Sequence, residues 1–230
     1  MVEGEYDEVT EVQKERIAHI TQGRARFAEV PKSHWDTPDF LDKSLVEASR
    51  QKIGFSHGYR AMCRWYSGFF WNHPAFQPYE WLWRLDTDIE FHCDIPYDPI
   101  QRLIDNNALY GFVQIAIDAE WVQPTLASNV SAFMAEHRDE FLPDANQGFA
   151  WYSSEVRLSN LIFFQNNFEI SHRSVWNHPL YTRLFEFLDR AGGFFYERWS
   201  DSPVHSFGLS MTLRKDQVLQ FKDMGSGHFI

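Results

Sequence analysis

Trp81-Leu82-Trp83-Arg84-Leu85-Asp86-Thr87-Asp88 runs an aromatic-rich segment straight into two carboxylates. Bulky apolar residues over 81–85 predict a short buried strand. Ligands of open α/β sheets bind beyond the carboxyl ends of strands, so the position of Asp86 and Asp88 carries weight. Two acids spaced by one residue on a turn can hold a hard divalent cation through oxygen ligands. Such a cation can bridge to a diphosphate and stabilise a departing nucleotide. The plain alternative is a solvated turn that happens to carry two acids. Tyr110 to Ile117 reads as the next apolar strand and closes on Asp118, which favours the functional reading because adjacent strand ends bring carboxylates together.

Outward from that strand, the apolar spacing of Val9, Val12, Ile17 and Ile20 predicts a surface helix over 7–20, closed near Gly23. A turn-rich connector spans 30–38, and a second helix is expected over 39–52, ending at Gly54. The segment 59–71 repeats apolar residues every three or four positions, with Arg60 and Arg64 one turn apart on another face. Further helices are expected after the 94–99 loop to about Asn106, over 129–141, and over 179–190 between Pro179 and Gly192-Gly193. The segment 160–170 is of mixed character. Short strands alternating with helices indicate an α/β domain.

Two further clusters carry chemistry. Glu169, in Asn166-Asn167-Phe168-Glu169-Ile170, sits among aromatic and branched neighbours. It is either a buried, hydrogen-bonded structural acid or a group set against a developing positive charge. The run from Tyr196 to Ser206 follows a Gly-Gly break and is dense in polar and aromatic groups. Tyr196, Glu197, Arg198, Trp199 and His205 suit a sugar-binding lining, the alternative being an ordinary polar loop capping the preceding helix. Arg60 and Arg64 join Asp86 and Asp88 as candidates for cofactor binding.

The chain has 230 residues, 21 Lys+Arg against 32 Asp+Glu and a formal net charge of −11. An acidic surface argues against a nucleic-acid partner. An anionic substrate would therefore need a cation other than side chains. Aromatic residues make up 17% of the chain, and most of the Trp and Tyr are expected in the core. No apolar run reaches the roughly 18–20 residues that span a bilayer. The two cysteines, Cys63 and Cys93, either form one bridge or stay free.

Several ordered segments resemble the fungal Golgi α-1,2-mannosyltransferases of glycosyltransferase family 15: 59–70, 80–98, Tyr110-Gly111-Phe112, 167–170 and, most specifically, 192–206. The resemblance implies a variant GT-A glycosyltransferase fold, with a mixed central sheet flanked by helices. It implies a retaining enzyme that uses Mn²⁺ to move mannose from GDP-mannose to the 2-hydroxyl of an acceptor mannose. By position, Asp86 and Asp88 match the family's Glu-Pro-Asp signature, and Asp118 and His228 match metal ligands alongside Asp88. Glu169 matches the proposed nucleophile or stabiliser of the oxocarbenium-like centre, Asp201 the acceptor base, and Tyr59 an active-site tyrosine near the donor. A mannose-terminated glycan acceptor, assembly with other glycosyltransferases and a Golgi-lumenal, type II membrane setting come with the same resemblance.

This sequence departs from the family in having Asp-Thr-Asp for Glu-Pro-Asp, and Phe163 and Gln165 where histidine and tryptophan are usual. Its first residues match a region beyond the family's anchor, stem and first strand–helix units. Residues 1–230 are therefore expected to form a single, partial catalytic domain without those units. The alternative function is a weak or inactive homologue that binds a glycan or a protein partner; an unrelated acidic metal-dependent hydrolase is a third.

Overall fold

The computed structural model describes residues 9–141, 162–224 and 226–228. Its helices are α1 (Glu11–Ile20), α2 (Lys32–Trp35), α3 (Lys43–Ile53), α4 (His57–Gly68), α5 (Pro99–Asp105), α6 (Leu126–Glu136), α7 (Arg173–Trp176), α8 (Pro179–Ala191), α9 (Gly193–Tyr196) and α10 (Asp201–Thr212). Its strands are β1 (Trp81–Leu85), β2 (Ile89–Phe91), β3 (Tyr110–Phe112), β4 (Ile115–Ile117), β5 (Ile162–Phe164), β6 (Phe168–His172), β7 (Val218–Gln220) and β8 (Ser226–His228).

The central sheet runs β1-β6-β3-β7 and is mixed, since β6 is antiparallel to both β1 and β3 while β7 is parallel to β3. Two small antiparallel ribbons, β2–β8 and β4–β5, accompany it. In the central sheet Arg84 lies opposite Glu169, which lies opposite Phe112. Directly opposed residues share a face, so Leu82, Arg84, Glu169, Ser171, Tyr110 and Phe112 point the same way.

That face meets α4, α8 and α10 across a core in which Trp71, Trp176, Tyr181 and Phe207 are fully buried. Each such side chain contributes roughly 1.5–3 kcal/mol by leaving water. The opposite face carries Phe168 and Ile170 into a smaller core with Leu103 and Phe221. Gly111 is required there, because a Cβ at that position would stand 2.5 Å from the Phe221 ring.

The helices that wall the core have clear local causes. Ser56 caps α4 by accepting from the Tyr59 amide. Pro179 starts α8 behind the His178 cap, and Gly192 ends it in the left-handed region at φ 76°. At Gly193 an added Cβ would lie 2.0 Å from the Trp199 indole. Gly193→Ala is therefore expected to lower stability by about 2–3 kcal/mol through overpacking, read as a lower urea midpoint.

Several expectations need correction. The strand 81–85 is not buried throughout: it is an edge strand, with Trp83 and Leu85 36% and 44% exposed. The stretch 110–117 is two strands in two sheets, since β3 joins the centre and β4 pairs with β5. The helix expected over 129–141 is α6, which starts earlier and stops at Glu136. The segment after Trp199 is not a loop, because Ser200 leads into α10, buried on almost every side. Asp7, Glu8 and positions 160–161 lie outside the described residues. Cys63 is buried and Cys93 exposed, and no disulfide joins them. Among the described residues no helix is long and apolar enough to cross a membrane.

Candidate active site

At the carboxyl end of β1 a cleft of about 510 Å³ opens between the sheet, α4 and the start of α10. Its walls include Tyr59 and Tyr66 from α4, Arg84 to Asp88 from the strand end, Asp118 after β4, Phe163 to Asn167 around the β5–β6 turn (Phe164 excepted), and Arg198 and Ser200 to Ser202. Asp86, Asp88, Asp118 and Asp201 face only Arg84 and Arg198 as fixed charges among these lining residues. The cleft thus carries an excess of two negative charges, which disfavours an unaccompanied anion.

Arg84 organises the inner wall. Its Nε donates to Asp86 Oδ1 at 2.9 Å, its Nη1 donates to Asp201 Oδ2, and the guanidinium stacks 3.7 Å from the centroid of the Tyr66 ring. Asp201 is buried and also accepts from Asn166 Nδ2 at 2.8 Å. Burial pushes its carboxyl up, but Arg84, His205 and Asn166 outweigh that and hold it below the usual carboxylate range. Asp86 moves the other way: burial and the neighbouring Asp201 and Asp88 carboxylates raise it despite Arg84.

Glu169 lies behind this wall rather than on the cleft surface, 1% exposed. Its Oε2 accepts from the Tyr110 hydroxyl at 2.9 Å and stands 3.0 Å from His205 Nδ1. The other imidazole nitrogen, Nε2, is 2.9 Å from the Tyr66 carbonyl oxygen. Burial lowers the proton affinity of His205, yet Glu169 and Asp201 more than compensate, so the net shift is upward.

Asp118 already has partners: Oδ1 accepts from Arg198 Nη2 at 2.8 Å and from its neighbour's amide, and Oδ2 from Gln123 Nε2 at 2.7 Å. Arg198 in turn stacks on Phe55, 4.8 Å from the ring centroid, with Tyr59 beyond it. Burial raises the Tyr59 hydroxyl well above its ordinary value. Among the described residues no three His, Cys, Asp or Glu side chains are grouped to hold a metal. Asp86 and Asp88 do fit one in another way, since hard cations of the Mg²⁺ type are commonly held by one or two carboxylates plus substrate phosphates. The backbone of β8 sets His228 opposite Ile89, one residue beyond Asp88, while its side chain lies outside the described structure.

Of the residues singled out from sequence, Tyr59, Asp86, Asp88, Asp118, Arg198 and Asp201 meet in the cleft, with Glu169 and His205 directly behind. Phe163 and Gln165 line it as well, whereas Arg60, Arg64, Tyr196, Glu197 and Trp199 do not. Arg60, expected at the cofactor, is buried and donates to the carbonyls of Gly54, Phe195 and Glu197. Arg64, likewise, forms a two-pronged ion pair with Asp189 at 2.6 and 2.8 Å. Both arginines hold α4 to its neighbours.

Three members of the expected sugar lining also have structural partners. Tyr196 Oη accepts from the Asp42 amide, and Glu197 ties Thr125 to the Trp199 indole, which is itself 1% exposed. Arg84, Tyr66, Asn166 and Ser202 were not singled out from sequence. The signal for Arg84 was its place in the strand alternation, a charge between Leu82 and Asp86 on the inward side.

The sequence matches the family described as glycolipid 2-alpha-mannosyltransferase over residues 6–229. The chain belongs to that family. Glycolipid 2-alpha-mannosyltransferase 2 of Candida albicans is 36% identical, over 97% of this chain and 50% of its own length. Alpha-1,2 mannosyltransferase KTR1 of Saccharomyces cerevisiae is 37% identical, over 96% of this chain and 58% of its own. The chain thus spans about half the length of the curated relatives it matches. The crystal structure of core-mannan synthase A (CmsA/Ktr4) from Aspergillus fumigatus, in a Mn/GDP form, superposes with a TM-score of 0.87 at 34% identity, covering 96% of this chain and 63% of that one. The Saccharomyces cerevisiae mannosyltransferase Ktr4p in complex with GDP gives 0.86 at 29% identity, over 95% and 60%. This member of the family has the variant GT-A fold that its sequence implied.

Proposed function

We propose that the chain acts as a retaining α-1,2-mannosyltransferase, moving mannose from GDP-mannose to the 2-hydroxyl of a mannose-terminated glycan. The observation that carries this reading is the clustering of Asp86, Asp88 and Asp201 around one cleft, with Glu169 buried directly behind it. The relatives named for mannosyl transfer, and the solved relative in a Mn/GDP form, support the donor and the metal.

Asp86 and Asp88 would hold Mn²⁺, with His228 as a further ligand; Asp118, expected in that set, serves here to hold Arg198. When bound, Mn²⁺ offsets the negative charge gathering on the departing GDP. Glu169 sets a carboxylate against the positive charge of the anomeric centre, the arrangement that supports retention in two-carboxylate glycosidases. Asp201 accepts the proton of the acceptor 2-hydroxyl as that oxygen bonds to the anomeric carbon and GDP departs. Its low proton affinity suits a late transfer, since the oxygen becomes strongly acidic only as its bond to the sugar carbon forms. Tyr59 flanks the donor, and Phe163 and Gln165, both on the cleft wall, shape the acceptor end. A Golgi setting and work beside other glycosyltransferases belong to the same proposal.

The test mixes the chain with Mn²⁺, GDP-mannose and methyl α-mannoside and analyses the product. An α-1,2-linked disaccharide is expected, abolished by EDTA and restored by added Mn²⁺. Binding of methyl α-mannoside without any disaccharide would replace this reading with that of a glycan-binding homologue.

A further inference from the structure

Glu169 and His205 form a buried pair whose proton content is constrained by what surrounds them. The Tyr66 carbonyl oxygen only accepts, so the Nε2 that lies 2.9 Å from it carries a hydrogen. Nδ1 then faces Glu169 Oε2 at 3.0 Å, either as a donor from an imidazolium or as an acceptor from a neutral carboxylic acid. The charged and titratable groups around the imidazole are Glu169 on β6, Tyr110 on β3, Asp201 on α10, Arg84 on β1, Tyr66 on α4 and Tyr181 on α8. Arg84 neutralises Asp201, to which it is directly paired. A neutral carboxylic acid would carry its proton on Oε2, the oxygen that already accepts from the Tyr110 hydroxyl, and a carboxylic O–H oxygen is a poor acceptor; a neutral His205 beside an ionised Glu169 would instead leave a buried carboxylate uncompensated, which is costly. An imidazolium closes the balance.

We infer that His205 is a positioning residue: as an imidazolium bridging the Tyr66 carbonyl and Glu169 Oε2, it supplies the buried counter-charge to the Glu169 carboxylate and fixes the direction of that carboxylate relative to the cleft. The consequence for Glu169 rests on the role proposed for it above. Tyr66 belongs to the helix that walls the cleft, so the bridge ties the acid on β6 to the wall against which substrate would lie. Tyr110 donates to the same oxygen, and both described hydrogen bonds to Glu169 therefore converge on Oε2. His205 is fully buried and touches no surface, so it does not itself contact a sugar.

Imidazole ¹⁵N NMR of the full chain at pH 7.5 tests the charge without any need for transfer activity. His205 should show two protonated nitrogens, and in Glu169→Gln it should become a neutral ring protonated on Nε2 alone. A neutral His205 in the wild-type chain overturns the inference. Kinetics test the positioning. His205→Asn keeps a donor near the Nδ1 position, whereas His205→Gln keeps one only near Nε2. Gln is expected to lower kcat on the order of 10²-fold, the scale of a misplaced group, and Asn to recover at least about tenfold of it. KM for donor and acceptor should stay within a factor of about two in both variants. Equal losses that follow thermal stability would make His205 a purely structural residue and overturn the positioning role. If the wild-type chain transfers no mannose, the proposed function fails, and the NMR result still decides the charge of His205.

Discussion

Glu169→Gln should abolish mannosyl transfer, by at least about 10³-fold, while the chain still folds and still binds GDP in the presence of Mn²⁺. The scale is that of removing a preorganised charge from the place where charge develops. The substitution is nearly isosteric, and the amide NH2 in the place of Oε2 can donate to the unprotonated Nδ1 and to the Tyr110 hydroxyl, which turns to accept, so the β1–β6–β3 register has no reason to shift. What disappears is the negative charge. His205 then faces a neutral partner and releases its proton, at an expected stability cost of about 1–3 kcal/mol. Because Glu169 does not line the cleft, calorimetry with GDP and Mn²⁺ should give an affinity near that of the wild type. Full transfer activity in Glu169→Gln would remove the residue from the mechanism. Loss of GDP binding alongside would show a collapsed cleft instead.

Arg84→Met should be the most destabilising of these substitutions. Arg84 is nine-tenths buried and ion-paired with Asp201, whose side chain is 5% exposed. Removing one member of a buried pair strands the other, which costs about 3–5 kcal/mol. Methionine fills similar volume, so the loss is electrostatic rather than a cavity. Asp201→Asn in the same chain should recover much of it, and the double-mutant cycle should return a clear coupling. The pH dependence has a definite sign. The Asp201 carboxyl is depressed in the folded chain, so its pairing stabilises the fold above the unfolded value of 3.8 and loses that effect as pH falls through the folded value. Melting curves of wild type and Arg84→Met should therefore converge in acid. A constant gap down to acid pH would assign the effect to packing alone.

The cleft was legible in sequence where local rules place residues. Asp86 and Asp88 follow a strand end, which by itself marks a ligand site, whereas Asp201 was singled out through the family resemblance of the run after the Gly-Gly break. Arg60 and Arg64 were misassigned because helical spacing defines a face but not the neighbour that covers it; here that neighbour is the protein's own backbone and Asp189. The helix α10 was missed because a helix buried all round has no polar stripe and therefore no 3.6-residue rhythm. The division of 110–117 between two sheets, and the edge position of β1, depend on strands more than forty residues later in the chain. Trp199 reads in sequence as part of a sugar-binding lining, because exposure, which decides whether an aromatic ring stacks on a ligand or on its neighbours, is a property of the folded chain.

The burial of α10 has a consequence for how the protein comes into being. Helix α4 packs against α10 and α8, which are translated long after it. At about 5–20 residues per second, the interval between Gly68 and the end of α10 is on the order of ten seconds. For that time Phe70 and Trp71 lack the Trp176, Tyr181 and His205 rings that pack on them, and a growing chain with a bare indole is a natural client for chaperones. The wait ends only when the segment carrying Asp201 and His205 has left the ribosome. A nascent chain of this protein thus acquires its protected interior and its reactive groups in the same event.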